Sequence, residues 1–244
     1  QPQPATQRLV DHLLTDFLGR NPVAAVLAAK MTADTGTRFR DWVDHVVTPA
    51  ATMSGAKLNE VGYKKEKIGD AEHYTCDLGI FSPILLGKDD TTRVAIKVDS
   101  IADYLGAHQL SRAEVHGDPG SQVRMACVSR EDDAELWIVE RHGDRSYKTG
   151  AADPVKALAS MKHLEALSTR DRNFDNCNDG FAEANRLVDA AIKDLGVDWT
   201  CDLFFEAERR YWMRRNHAAQ VQYARQRRLG LGWANHDHHT YRSS

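Results

Sequence analysis

One pattern of secondary structure occurs twice between residues 41 and 142, and this repeat constrains the fold more than any other feature. In each copy an apolar strand leads into a short helix, and further short runs with period-two alternation follow. The first copy begins at 41–47, the second begins at 93–99, and the second ends at 135–140, where four apolar residues lie between two glutamates. The repeat predicts an α+β fold in which paired βαβββ modules form one curved mixed sheet.

The segments on either side of this core are predicted to be helical. Apolar residues recur at three- and four-residue spacing near the N-terminus, and Asn21-Pro22 is a typical start for a second helix. We expect N-terminal helices over 6–35 and a C-terminal helical extension over 150–244, with one long helix from 200 to about 228. Since no low-complexity linker separates these parts, a single domain over 1–244 is expected.

The composition is that of an ordinary globular protein. Hydrophobic residues make up 42% of the chain and charged residues 27%, and the net charge is −3. No run approaches the roughly 18 apolar residues of a membrane-spanning helix, and no secretory signal is visible. The four cysteines are far apart, which favours reduced thiols over disulfides. We therefore expect a cytoplasmic protein that has no membrane partner.

Two short motifs resemble the vicinal oxygen chelate superfamily. The strand 43–47, Val-Asp-His-Val-Val, and the segment 58–63, Leu-Asn-Glu-Val-Gly-Tyr, are similar to the opening of its first module, and 94–105 is similar to the start of its second. The helices that precede the Asp-His strand make the chain most similar to the 2-oxoadipate dioxygenase/decarboxylase branch. This resemblance, which covers 41–142, implies non-haem iron chemistry on a 2-oxo acid.

The chain differs from the family pattern at two places. The branch has an arginine for a substrate carboxylate shortly after the metal histidine, and this chain has Thr48-Pro49-Ala50 there. The superfamily often has a histidine at the start of the second module, and this chain has Arg93. The first difference concerns the substrate and the second concerns the metal.

The residues that suit a metal centre are His45, Glu140 and His236. Two histidines and one carboxylate leave open positions for substrate and oxygen on Fe(II), which is the expected ion, with Mn(II) and Zn(II) as alternatives. His45 and Glu140 occupy the first and last predicted strands, so the third ligand has to come from elsewhere in the chain. The alternative is that His45 is a hydrogen-bonded core histidine and Glu140 a surface carboxylate at a strand end.

The tail 233–242 has the highest density of ligand-type side chains in the chain. Imidazoles bind divalent metals and also act as acids and bases near neutral pH. His236 and His238 would share a face if the segment were extended. We predict that His236 completes the metal site and that His238 and Tyr241 are catalytic, and the alternative is a polar terminus without function.

Arginine is concentrated in residues 209–228, which contain seven arginines and no lysine, aspartate or glutamate. Removing this charge of +7 from the net charge of −3 leaves −10 for the remainder of the chain. Arginine binds carboxylate or phosphate through paired hydrogen bonds. The predicted substrate-binding residues are Arg93, Arg214, Arg215 and Arg242. The alternative is a solvated helix that pairs with the acidic remainder of the chain.

These observations predict a divalent-metal-dependent enzyme of the oxygenase or lyase type that acts on a small, anionic, carboxylate-bearing molecule. One alternative is a metal-free protein that binds a small ligand on the same fold. Another, less favoured, is a nucleic-acid-associated module that uses the arginine-rich segment 209–228. The sequence leaves a homodimer open.

Overall fold

The computed structural model describes residues 5–68 and 71–233. Where we expected a single domain, these residues divide into two compact units, each with its own hydrophobic cluster. The first unit contains the described parts of Gln1–Val115, Met125–Glu140 and Tyr223–Ser244. The second contains His116–Arg124 and Arg141–Gln222.

Eight α-helices and eight β-strands form within the described residues. The helices are α1 (Ala5–Arg20), α2 (Pro22–Lys30), α3 (Gly55–Glu60), α4 (Ile101–Ala107), α5 (Pro154–Thr169), α6 (Cys177–Leu195), α7 (Val197–Met213) and α8 (His217–Arg228). The strands are β1 (Val43–Pro49), β2 (Lys64–Ile68), β3 (Ala71–Thr75), β4 (Ile84–Gly87), β5 (Thr92–Lys97), β6 (Val115–His116), β7 (Val123–Glu131) and β8 (Ala134–Arg141). A π-helical turn, Met31–Thr35, follows α2.

The strands form one mixed sheet with the order β2-β3-β4-β1-β5-β8-β7-β6. In the first module β1 and β4 are parallel, and in the second module β5 and β8 are parallel. The two modules meet where β1 and β5 pair in antiparallel orientation. Each module therefore places its strands in the same order, and the predicted α+β fold with paired βαβββ modules is confirmed.

One face of the sheet, which we call the helix face, is buried with the N-terminal helices. It is formed by Val46, Ile84, Val94, Ile96, Leu136 and Ile138, which share one apolar cluster with the buried residues of α1 and α2. The start of α2 is as predicted, because Pro22 occupies the first turn and the Asn21 side chain accepts a hydrogen bond from the Ala24 N–H. The apolar stripe of α1 includes Val10, Leu14 and Phe17.

The second unit is helical and has its own core, in which α5, α6 and α7 bury Leu167, Leu195, Trp199 and Leu203. The predicted single helix over 200–228 is wrong. α7 ends at Met213 and α8 begins at His217, because Asn216 accepts a hydrogen bond from the Ala219 N–H and caps a new helix. Asparagine favours this capping conformation over helix interiors.

The cysteines and the hydropathy of the helices can also be compared with the sequence. All four cysteines are free thiols, as their spacing predicted. In the part of the chain that the structure describes, no helix is both long enough and apolar enough to cross a membrane.

The segment after α8 is joined to the second module by two hydrogen bonds at Asp99. The Asp99 N–H donates to the Leu231 carbonyl oxygen at 3.2 Å, and the Trp233 N–H donates to Asp99 Oδ2 at 2.6 Å. Gly230 allows this approach, since its φ is 69° and a Cβ there would lie 2.6 Å from Tyr104 Cα. The position requires glycine for both its backbone conformation and its space.

We predict that Gly230→Ala lowers the free energy of unfolding by about 2–4 kcal/mol, because it combines a strained backbone with a steric clash. Urea denaturation measures this change. The control is Gly19→Ala, because no atom lies within 4 Å of a Cβ at Gly19 and its φ is ordinary. The control should be neutral or stabilise by up to about 1 kcal/mol. Equal effects of the two substitutions would contradict the packing argument.

Candidate functional site

A β-bulge in the central strand β1 decides where His45 points. Val43 pairs with Ile96, but His45 pairs with Ala95, so Asp44 is an extra residue on β1. Two consecutive positions on β1 therefore oppose one on β5, which reverses the alternation of side chains. Val43 packs against the cluster on the helix face. His45 consequently lies on the opposite face, which we call the His45 face.

Asp44 and His45 form a close pair at this bulge. His45 Nδ1 lies 2.6 Å from Asp44 Oδ2, and both side chains are nearly buried, with exposed fractions of 5% and 11%. In a neutral imidazole this contact keeps the proton on Nδ1 and leaves the lone pair on Nε2. A carboxylate that orients a histidine in this way is typical of acid–base catalysts and of metal ligands. Asp44 was not predicted from the sequence, because in a strand without a bulge adjacent side chains point to opposite faces.

A second buried histidine lies on the His45 face. The register runs from Val47 through Leu85 to His73, so His73 shares the face of His45 at a distance of two strands. His73 is fully buried, and its Nε2 lies 3.5 Å from Glu66 Oε2 on the neighbouring strand. His73 was not predicted from the sequence either. Its position at the centre of an alternating five-residue strand was the available signal.

Arg93 lies on the His45 face and belongs to a charged network. Its guanidinium donates to Asp89 at 2.6 and 3.0 Å and to Glu135 Oε2 at 3.1 Å. Glu135 also pairs with Arg130 at 2.7 Å and accepts a hydrogen bond from Trp137 Nε1 at 2.9 Å. Because Val47 is the register partner of Arg93, this arginine is a diagonal neighbour of His45, at about 7–8 Å between their Cβ atoms.

The network also determines the charge state of Glu135. Burial raises the pKa of this carboxyl, but the hydrogen bond from Trp137 and the charges of Arg130 and Arg93 outweigh burial, so its pKa is lowered overall. Glu135 is therefore an ionised, structurally paired group at neutral pH, and no acid–base role follows for it.

Glu140 does not share the face of His45, which corrects the predicted metal site. Ala95 pairs with both His45 and Trp137, so Trp137 lies on the His45 face and Glu140, three residues further along β8, lies on the helix face. The two positions are also separated by about 10 Å along the strands and about 10 Å across them. Since metal ligands lie about 2 Å from the ion, His45 and Glu140 cannot bind one metal together.

The role of Glu140 is to bind the backbone of α4. Its side chain is buried, and Oε2 accepts a hydrogen bond from the N–H of Ile101, the first residue of that helix, at 2.8 Å. The first N–H groups of a helix have no partner within the helix, so a carboxylate at this point satisfies one of them.

The remaining predicted site residues are distributed over other parts of the chain. Arg214 and Arg215 belong to the second unit, where the Arg215 guanidinium lies 3.6 Å from the centre of the Tyr211 ring. His236, His238, Tyr241 and Arg242 lie outside the described residues. The proposed roles of all six therefore stay predictions.

The donor set on the described residues does not fit a three-ligand metal centre. No group of three histidine, cysteine, aspartate or glutamate side chains in 5–68 and 71–233 is arranged to bind one ion. The site supported by the geometry is therefore the Asp44–His45 pair, with His73 and Arg93 on the same face.

Comparison with known proteins does not assign this site. No protein-family model matches the chain, and no curated protein matches it.

We predict that Glu140→Ala lowers the free energy of unfolding by about 1–3 kcal/mol, because the buried Ile101 N–H loses its acceptor. Glu140→Gln should lower the free energy of unfolding by less, since an amide oxygen can still accept this hydrogen bond. Both are measured by urea denaturation. The control is Glu60→Ala at the exposed end of α3, which should change stability by less than about 0.5 kcal/mol. An unaffected Glu140→Ala variant would disprove the structural role.

We also predict that Glu135 makes stability depend on pH. Its pKa is lower in the folded state than the ordinary value of 4.5, so its contribution is complete above that value. The contribution decreases as the pH falls through the folded pKa. Glu135→Gln should therefore reduce stability at pH 7, and the difference from the unmodified protein should narrow in acid. Urea denaturation at pH 7 and in acid, below the folded pKa, measures the free energy of unfolding of both proteins. The control is Glu183→Gln in the exposed Glu183–Arg186 pair, which should change the free energy of unfolding little at either pH.

Proposed function

We propose that this protein is an enzyme that removes a proton from a small, carboxylate-bearing substrate on the His45 face. The observation that supports this most is the nearly buried Asp44–His45 pair at the bulge of β1. Bulges of this kind re-aim side chains and are common beside active sites. The proposal retains the lyase type of reaction and the anionic substrate expected from the sequence.

The chemistry assigned to His45 is general base catalysis. Nε2 accepts a proton from a carbon next to the substrate carbonyl, and the electron pair of the broken C–H bond moves into the enolate. The imidazolium that forms is stabilised by the Asp44 carboxylate at 2.6 Å. Return of the proton to the product restores the neutral ring.

Arg93 is the residue best placed to bind the substrate carboxylate. Its three hydrogen bonds to Asp89 and Glu135 use three of the five N–H groups of a guanidinium. The two others can donate to a carboxylate, and the paired acids hold the fork in one orientation. Arg93 therefore orients a small substrate beside its diagonal neighbour His45.

The proton transfer described above involves the side chains of His45, Asp44 and Arg93. The described donors do not form the His45–Glu140–His236 site, since Glu140 points to the helix face and His236 lies outside the described residues. An oxygenase reaction on Fe(II) would need donors beyond those described.

Ligand binding without turnover is the second candidate function. It is favoured by the pairing of Arg93 and Glu135 with other charged groups, because these pairs hold a binding surface in place without supplying an acid or a base. The two functions differ in whether a bound carboxylate exchanges protons with water.

We predict that the protein exchanges the hydrogens next to the carbonyl of a 2-oxo acid with deuterium in D2O. Pyruvate, 2-oxobutyrate, 2-oxoglutarate and 2-oxoadipate are suitable probes, and proton NMR follows the loss of signal. His45→Gln should slow exchange by about 100-fold or more, and Asp44→Asn by about 10- to 100-fold. His12→Gln, which changes an exposed histidine of α1, is the matched control.

The outcomes separate the candidate functions. Exchange that persists in His45→Gln would overturn the catalytic role. Saturable binding without exchange would favour the ligand-binding protein. Elemental analysis of protein purified without chelators is run in parallel. Stoichiometric metal that is lost in His45→Gln and kept in His12→Gln would return His45 to the role of a metal ligand.

A further inference from the structure

A polar cavity lies between the end of α8 and the π-helical turn after α2, within the first unit. Its volume is about 410 Å3, and it is lined by Ala33, Asp34, Arg225 and Arg228. Pockets that bind small molecules have volumes of about 300–1,000 Å3. The cavity borders helical segments whose cores pack on the helix face, whereas His45 lies on the opposite face of the sheet.

The two arginines are arranged to act together. Arg225 and Arg228 are three residues apart on α8, so their side chains leave the same side of the helix. Neither forms an ion pair with a carboxylate among the described residues. In contrast, Arg20, Arg38 and Arg40 elsewhere in the first unit each pair with an aspartate. The cavity therefore has two positive charges that no protein group on the described chain neutralises.

Asp34 supplies the opposite charge at the rim of the cavity. It is exposed and makes no ion pair with Arg225, Arg228 or another cation of the described chain. An aspartate that faces two arginines without pairing leaves room between them for a ligand. Such a ligand needs an anionic group for the arginines and a hydrogen-bond donor for the carboxylate.

Hydrogen bonds fix the turn that carries Asp34. Met31–Thr35 is π-helical, a conformation that occurs frequently at functional sites. Thr35 Oγ1 lies 2.7 Å from Thr37 Oγ1, which accepts a hydrogen bond from the buried Trp42 Nε1 at 2.8 Å. Gly36 follows in the left-handed conformation, with φ of 69°. These contacts hold one wall of the cavity in place before a ligand binds.

We propose that this cavity binds a phosphomonoester that also bears a hydroxyl group. A phosphomonoester is anionic at neutral pH and has three oxygens that can accept hydrogen bonds from both arginines at once, whereas a carboxylate has two. Arginine forks donate paired hydrogen bonds to phosphate oxygens. Asp34 accepts from the hydroxyl group. The site is independent of the proton-transfer function proposed for the His45 face.

Arginines near the end of a helix also stabilise the helix itself through the partial negative charge of its last carbonyl groups. Arg227 shares that effect, since it belongs to the same last turn of α8 and is exposed, but it does not line the cavity. Arg227→Gln is therefore the matched control, because it removes the same charge from the same turn.

The experiment is isothermal titration calorimetry of the full chain with glycerol 3-phosphate and with inorganic phosphate. We expect saturable one-to-one binding of glycerol 3-phosphate. Arg225→Gln and Arg228→Gln should each weaken it by at least about tenfold, as expected for loss of a charge-assisted bidentate contact. Arg227→Gln should change it less than about twofold, because that side chain does not reach the cavity. Asp34→Ala should reduce the preference for glycerol 3-phosphate over inorganic phosphate.

Several results would overturn the proposal. One is the absence of saturable glycerol 3-phosphate binding to the unmodified protein. Another is a loss of glycerol 3-phosphate affinity that is equal in all three arginine variants. Titration with a single-stranded oligonucleotide tests the remaining alternative. Tight binding that depends on all three arginines and weakens steeply with salt would identify a nucleic-acid surface instead of a small-molecule cavity. Thermal unfolding of each variant checks the fold, and Arg225→Lys, which keeps the charge but loses the planar fork, replaces Arg225→Gln if that variant unfolds.

Discussion

The antiparallel pairing of β1 with β5 is the interaction on which the rest of the first unit depends. Each of these strands is the first of its βαβββ module, and each is also parallel to the last strand of that module. The pairing therefore joins the two modules into one sheet and fixes the register of β4 and β8 on either side. Apolar residues of β1 and β5, such as Val46, Val94 and Ile96, then complete the buried helix face.

The same pairing contains the irregularity that creates the candidate site. One extra residue, Asp44, turns His45 away from the helix face and brings its ring against the Asp44 carboxylate. Without the bulge, the Val43–Ile96 register would place His45 opposite Val94 on the apolar helix face and turn Val46 away from it, and a polar ring in an apolar layer needs a buried partner. The bulge therefore keeps Val46 on the helix face and places the Asp44–His45 pair on the opposite face.

Charged groups in the first unit follow two distinct arrangements. On the His45 face, Arg93, Arg130 and Glu135 neutralise one another across neighbouring strands, and Asp89 completes the network. Beside the π-helical turn, Arg225 and Arg228 face Asp34 across a cavity instead of pairing with it. Paired charges give a rigid surface, whereas charges separated by a cavity give a place for an ion.

The sequence by itself determined the two modules of the sheet and the start of α2, but not the break between α7 and α8. The repeat over 41–142 predicted two βαβββ modules, and Asn21-Pro22 predicted the start of α2, because hydrophobic period and capping residues act over a few neighbouring positions. Tertiary structure decided which face each side chain occupies. The bulge at Asp44 exists through pairing with β5, about fifty residues away in the chain, and it places His45 on the face opposite to Val43. Glu140 was predicted to bind a metal because carboxylates are common ligands, but its partner in the structure, the Ile101 N–H, is brought to it by the fold. The cavity between Asp34 and Arg228 is likewise invisible in sequence, since it is the space between two segments that only packing brings together.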